Sequence, residues 1–165
     1  MKLKDALLEQ FDSCYDQNGW FVALKNAIHG ITAEQAAWKP KGADNSTWQI
    51  LSHLNYYNNA YLERFRGVDY EYDKPNNDAT FEQAEAPSEE SWTAEVERFD
   101  RIMSEFRELL SKVDDSRLDE LAPPARKYPW RVLISFINAH NAHHGGQIVL
   151  MRKLQGSWNR DEGVS

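Results

Sequence analysis

The sequence predicts an all-α protein, an antiparallel four-helix bundle with a long connection between the second and third long helices. Apolar residues recur at helical spacing in four long stretches. No stretch alternates polar and apolar residues as a half-buried strand would. Four long helices with one apolar face each bury those faces against one another in a bundle.

The first helical stretch begins near Leu3 and continues to about residue 28. The pair Asn18-Gly19 interrupts it, so we expect a first helix that is kinked or broken near Gly19. Thr32 and Gln35 then form a capping box, in which the two side chains satisfy backbone N–H groups at the start of a helix. This box predicts a short helical turn that ends before Pro40.

The second long helix is predicted over about residues 47–66. It opens with a second capping box, Ser46 and Gln49, and Gly67 ends it. Residues 68–87 have no sustained period. A connection of about this length is uncommon in a compact domain and tends to be functional or to cross between distant helices, and its aromatic residues suggest that it packs down.

The third long helix is predicted to start at Ser88 or Ser91 and to end at Asp114-Asp115. It has the clearest amphipathic pattern in the chain. The fourth long helix is predicted from Trp130 to about Gln155, before Gly156.

A chain of 165 residues fits one domain, residues 1–165, and its composition, 27% charged and 41% hydrophobic, is ordinary for a globular protein. The net charge of −7 argues against a nucleic-acid partner, since binding to phosphates depends on clustered Lys and Arg. No apolar run approaches the ~20 residues that span a bilayer, so no membrane partner is expected. The N-terminus does not resemble a signal peptide, and we expect a cytoplasmic protein.

The only cysteine, Cys14, excludes an internal disulfide and a cysteine-based zinc site. Any metal must therefore be held by histidine or carboxylate. We expect Cys14 to be a small core residue rather than a nucleophile.

Three of the five histidines lie within five residues of the fourth helix. Residues four apart share a helix face, so His140 and His144 can direct their imidazoles to one point, whereas His143 points elsewhere. The apolar residues on or beside that face are Leu133, Phe136, Ile137, Ile148 and Met151. The pair therefore faces inward, and a third ligand must come from another element. His53 on the second helix is the best candidate; His29, beside Gly30 at a probable helix end, fits a capping role better.

Each of these features also has a simpler interpretation. A single inward histidine is more often a hydrogen-bonded core residue. The inward pair, with a third histidine available on a second helix, brings the metal-site interpretation level with that one. The tryptophans could line a pocket, although aromatic residues at helical spacing are more often core. Gly145-Gly146 is costly in a helix interior, by ~1 kcal/mol per residue relative to Ala, and indicates either a tight helix crossing or room for a substrate.

Two segments, residues 45–54 around His53 and residues 140–148 around His140 and His144, resemble the DinB-like (YfiT-like) superfamily of metal-dependent proteins. Matches such as Thr80-Phe81 and Trp92 extend the resemblance over nearly the whole chain. It implies a four-helix bundle, commonly dimeric, that binds nickel, zinc or a similar divalent ion through three histidines. The corresponding ligands here are His53, His140 and His144, the trio that the helix geometry also favours.

Two functions are compatible with such a site. Some members of this superfamily are thiol-dependent transferases, which favours an enzyme. It would be a thiol S-transferase, which uses a low-molecular-weight thiol, or a hydrolase. Either enzyme would act on a small electrophile. No carboxylate is obviously placed as a general base; Gln147 and Asn141 could orient groups by hydrogen bonding. The alternative is a non-catalytic metal-binding or stress-response scaffold protein. The resemblance, together with six Trp and seven Phe in a small bundle, also predicts a homodimer.

Overall fold

The structure, a computed structural model, describes residues 2–83, 85–125 and 127–163. Over these residues the protein is the predicted all-α four-helix bundle. The long helices are α1 (Leu3–Tyr15), α4 (Thr47–Arg66), α5 (Glu89–Lys112) and α7 (Trp130–Gln155). The shorter ones are α2 (Leu24–Ile28), α3 (Ala33–Ala37) and α6 (Asp115–Asp119), with 3-10 turns at Asp78–Thr80 and Arg160–Glu162. In the described part of the chain, no helix is both long enough and apolar enough to cross a membrane.

The ends of the long helices agree with the local signals in the sequence. The Ser46 hydroxyl accepts from the Gln49 amide at the start of α4, and the Gln49 side chain accepts from the Ser46 amide. Ser88, rather than Ser91, is the N-cap of α5. Gly67 and Gly156 end α4 and α7 in the left-handed region, with φ of 93° and 80°, where a residue without Cβ is favoured.

The predicted first helix is broken rather than kinked. α1 ends at Tyr15 and α2 starts at Leu24. The Asn18 side-chain oxygen accepts hydrogen bonds from the Ala23 amide and from the Asn26 side chain, 2.9 Å each, and so holds the break against the start of α2. The short helix α6, after α5, was not predicted.

The long connection determines the direction of the helices. α1 and α5 run antiparallel, since Phe11 packs on Phe106 and Tyr15 packs on Phe99. α4 and α7 are also antiparallel, because the start of α7 contacts the end of α4, where Trp130 meets Phe65. α5 runs parallel to α4, since Trp48 packs on Trp92 near the start of both helices and Phe65 packs on Phe106 further along both. The antiparallel arrangement that the sequence predicted therefore holds for α1 with α5 and for α4 with α7, but not for α4 with α5.

One core fills the space between the four long helices, and its most buried members are large. They include Phe11, Tyr15, Leu51, Leu54, Phe99, Met103, Phe106, Trp130 and Ile134. Trp48 and Trp92 are also buried and pack on each other at 5.3 Å, whereas Trp20 is fully exposed. The interpretation of the tryptophans as core residues is therefore correct for Trp48, Trp92 and Trp130.

Candidate metal centre

Three imidazole rings meet between α4 and α7. His140 Nε2 lies 3.0 Å from Nε2 of His53 and 3.1 Å from Nε2 of His144. The antiparallel packing of the two helices brings His53 to the inward pair, so the three residues singled out in the sequence are neighbours in space. Among the described residues, these three histidines offer donor atoms that lie within 4.8 Å of one another, close enough to hold one ion.

Hydrogen bonds to the opposite ring nitrogens determine which nitrogens carry protons. The Thr80 hydroxyl donates to the Asn77 carbonyl oxygen at 2.6 Å, so it accepts from Nδ1–H of His53 at 2.7 Å. Gln147 Oε1, also an acceptor, lies 2.6 Å from Nδ1 of His144. In both neutral rings Nε2 is therefore unprotonated, and its lone pair faces the centre of the trio.

Burial keeps these rings neutral. Desolvation, with the neighbouring imidazoles, lowers the pKa of His53 to about 3. The same causes lower the pKa of His140 to about 4. Desolvation also lowers the pKa of His144, although its hydrogen bond to Gln147 acts in the opposite direction. At neutral pH the cluster therefore presents three uncharged nitrogen donors.

The comparison with protein families bears on the same residues. A family model described as the DinB superfamily matches residues 22–148, which include all three histidines. The chain belongs to the DinB superfamily. Searches of curated proteins and of solved structures returned no significant match. Family membership and the cluster together indicate a metal ion.

The donors of this DinB-superfamily chain fit a divalent transition metal. Nitrogens that share one ion at ~2.0–2.1 Å lie roughly 3.0–3.4 Å apart, in agreement with the two distances at His140. Without an ion, the His53 and His144 lone pairs both face Nε2 of His140, which can donate a proton to only one of them. A cation would satisfy all three nitrogens, and nickel or zinc remains the predicted identity.

The connection between α4 and α5 supports the cluster. Phe81 lies against the His53 ring, with centroids 4.0 Å apart and planes within 9°. Tyr57 contacts the same ring edge-on at 5.0 Å. The expectation that this connection packs down is confirmed, but the sequence did not indicate that Thr80 and Phe81 would hold His53. The match of Thr80-Phe81 to the DinB-like superfamily was the one sequence signal that pointed to these two residues.

Several other residues singled out in the sequence lie outside the cluster. His143 is exposed and His29 is the C-cap of α2. Gln147 orients His144 by a hydrogen bond, one of the roles expected for it, whereas Asn141 accepts a hydrogen bond from the Asn58 side chain at 3.0 Å. Cys14 is buried, and desolvation raises the pKa of its thiol to about 12, consistent with a core residue.

The expectation that Phe136 faces inward was wrong, and the two glycines have different surroundings. Phe136 was expected to face inward with the histidines, but 55% of it is exposed because it lies at the rim of a pocket between α4 and α7. A Cβ on Gly145 would lie 3.5 Å from Leu24, which supports the close-crossing interpretation. A Cβ on Gly146 would meet nothing within 4 Å, and neither glycine lines the pocket at Phe136.

That pocket adjoins the cluster on one side. Its volume is about 270 Å³, and its lining residues are Tyr57, Asn58, Tyr61, Asn77, Phe136, Ile137 and His140. His140 is the member of the trio that lines it. The pocket therefore gives access to the cluster from the side of His140.

Proposed function

We propose that His53, His140 and His144 bind one divalent transition metal, nickel or zinc, and that the protein is a metal-dependent enzyme acting on a small electrophile. The observation that supports this proposal is the convergence of the Nε2 atoms of three neutral imidazoles, two of them fixed as unprotonated, beside an accessible pocket. A structural zinc site is normally closed by four protein ligands, whereas three protein ligands with one open position are typical of catalytic sites.

A metal bound by three neutral ligands lowers the pKa of a water or thiol at its free position, which yields a nucleophile near neutral pH. The chain's own residues prepare the site for that chemistry. Thr80 and Gln147 hold protons on the outer ring nitrogens, so that the inner ones remain donors. Phe81 covers one face of His53 and excludes water from it. The pocket at His140 positions the electrophile.

Two reaction types follow, depending on the nucleophile. In a transferase, a low-molecular-weight thiol loses its proton to solvent and its sulfur bonds to the electrophilic carbon, while the leaving group departs with the electron pair of the broken bond. In a hydrolase, water replaces the thiol, and its oxygen forms the new bond. The polar partners of His53 and His144 are a hydroxyl and an amide, so neither hydrogen bond supplies a carboxylate base.

The test is turnover by protein purified without a His-tag, stripped with a chelator and reloaded with zinc or nickel. 1-Chloro-2,4-dinitrobenzene with cysteine reports the transferase, and 4-nitrophenyl acetate reports the hydrolase. We expect metal-dependent turnover that is lost in His53→Ala and retained in His29→Ala. Equal turnover by metal-free protein would refute metal catalysis. Stoichiometric metal without turnover across a wider panel of electrophiles would instead favour the scaffold function.

A further inference from the structure

The pocket between α4 and α7 has an uncharged lining. None of its seven lining residues is Asp, Glu, Lys or Arg, although 27% of the chain is charged. Aromatic rings from Tyr57, Tyr61 and Phe136 form much of the wall. A charged ligand group placed against these side chains would lose hydration without gaining an ionic partner among them, which is unfavourable. The chain's net charge of −7 further disfavours an anion.

The size of the pocket limits the ligand to about one ring with substituents. Its volume is about 270 Å³. A cavity of ~150 Å³ is enough for benzene, and pockets for drug-sized molecules begin near ~300 Å³. Flat aromatic walls favour a planar group, because rings pack offset or edge to face.

Polar groups at the base of the pocket remain able to bind a neutral ligand. Asn58 is 1% exposed and gives one amide proton to Asn141 Oδ1 at 3.0 Å. An amide has a second proton and an acceptor oxygen, so Asn58 retains hydrogen-bonding capacity. At the rim, the Tyr57 hydroxyl donates to Asn77 Oδ1 at 3.2 Å. These groups suit a hydroxyl, carbonyl or amide rather than an ion.

We infer that the pocket binds an uncharged small molecule with a planar ring and one or two polar atoms, and presents it to the His140 side of the histidine cluster. The pocket then binds the electrophile of the proposed reaction, an assignment that rests on the proposed function. A thiol that carries carboxylates would find no cationic side chain among the lining residues. Phe136, exposed at the rim, is then a specificity-determining residue.

Three probes that share a ring and differ in charge test this inference: benzyl alcohol, benzoate and benzylamine. Their affinities are measured by NMR titration of the full-length protein, both metal-free and zinc-loaded. In the metal-free protein we expect benzyl alcohol to bind most tightly and benzoate about tenfold more weakly, since about 1.4 kcal/mol corresponds to tenfold. Benzoate or benzylamine binding to the metal-free protein as tightly as benzyl alcohol would overturn the inference.

Variants locate the binding site. Phe136→Ala should weaken benzyl alcohol binding by roughly two- to tenfold, the range of one aromatic contact. Phe136→Lys, which adds a cation at the exposed rim, should shift the preference toward benzoate. Phe21→Ala is the matched control, because this phenylalanine is 39% exposed and lies outside the pocket lining. Equal effects of Phe136→Ala and Phe21→Ala would contradict the assignment.

Nickel-loaded protein provides the last test. Paramagnetic relaxation of the benzyl alcohol protons should be stronger with nickel than with zinc, and should disappear in competition with a chelator. Nickel that binds without relaxing the probe would overturn the placement beside His140. If no metal binds, the proposed function fails, yet the titrations of metal-free protein still decide whether the pocket selects neutral rings.

Discussion

The hydroxyl oxygen of Thr80 lies 2.7 Å from Nδ1 of His53, and both groups are buried. The Thr80 hydroxyl proton is already donated to the Asn77 carbonyl oxygen. Thr80 can therefore only accept from His53, and this single contact determines the tautomer of a candidate ligand. The connection between α4 and α5, through its 3-10 turn at Asp78–Thr80, thus sets the chemistry of a helix residue.

Thr80→Val should weaken metal binding by about 10–100-fold, the usual effect of losing a hydrogen bond to a ligand histidine. Valine keeps the shape of threonine but leaves Nδ1–H of His53 without an acceptor. Competition with a colorimetric chelator measures the affinity, and circular dichroism checks folding. Thr80→Ser retains the hydroxyl and should bind nearly as well as the wild type. Equal affinities for Thr80→Val and the wild type would exclude this role.

The purified protein should contain about one divalent metal per chain, and alanine at His53, His140 or His144 should remove most of it. Each substitution leaves two protein donors, too few for a stable site. Elemental analysis after purification without a His-tag is the measurement. The control variants His143→Ala and His29→Ala should retain metal, since both side chains lie outside the trio. A triple variant of the trio that keeps stoichiometric metal would refute the ligand assignment.

The metal-free protein should lose stability as pH falls from about 6.5 toward about 4. The folded-state pKa values of His53 and His140 are about 3 and about 4, below the ~6.5 of an unfolded chain. The unfolded state therefore binds more protons in this window, and at pH 5 each histidine lowers the free energy of unfolding by about 2 kcal/mol.

Urea unfolding of metal-free protein at pH 7, 6 and 5 measures this effect. Carboxylates contribute a background slope, so the comparison is with His53→Gln, which removes one of the shifted groups. The variant should show the shallower pH dependence. Identical slopes for the two proteins would mean that His53 titrates normally in the folded state.

We propose that the chain forms a homodimer through the exposed apolar side of α7. Leu150 and Leu154 lie one turn apart there and are 57% and 63% exposed. Exposed apolar patches often mark interfaces. Light scattering should give about 38 kDa, twice the 19.2 kDa of one chain. Leu150→Glu with Leu154→Glu should give the monomer mass, while Leu3→Glu, exposed elsewhere, should not. A wild-type mass near one chain at micromolar concentration would rule the dimer out.

The sequence alone determined the features that depend on nearby residues. Capping by Ser46 and Gly67 sets the bounds of α4, since these contacts join residues a few positions apart. Helical spacing places His140 and His144 on one face for the same reason. His53 was the best candidate for the third ligand, the family pattern gave the same residue, and the structure brings it to the pair.

Only the tertiary structure decided what depends on contacts between distant segments. Thr80 reaches His53 across 27 residues, and α5 runs parallel to α4, as the contacts of Trp48 with Trp92 and of Phe65 with Phe106 show. The exposure of Phe136 was likewise not predictable, because helix periodicity gives the face of a residue but not the width of the gap opposite it. Local signals fix the helices, whereas packing fixes their directions, the tautomers of the histidines and the pocket beside them.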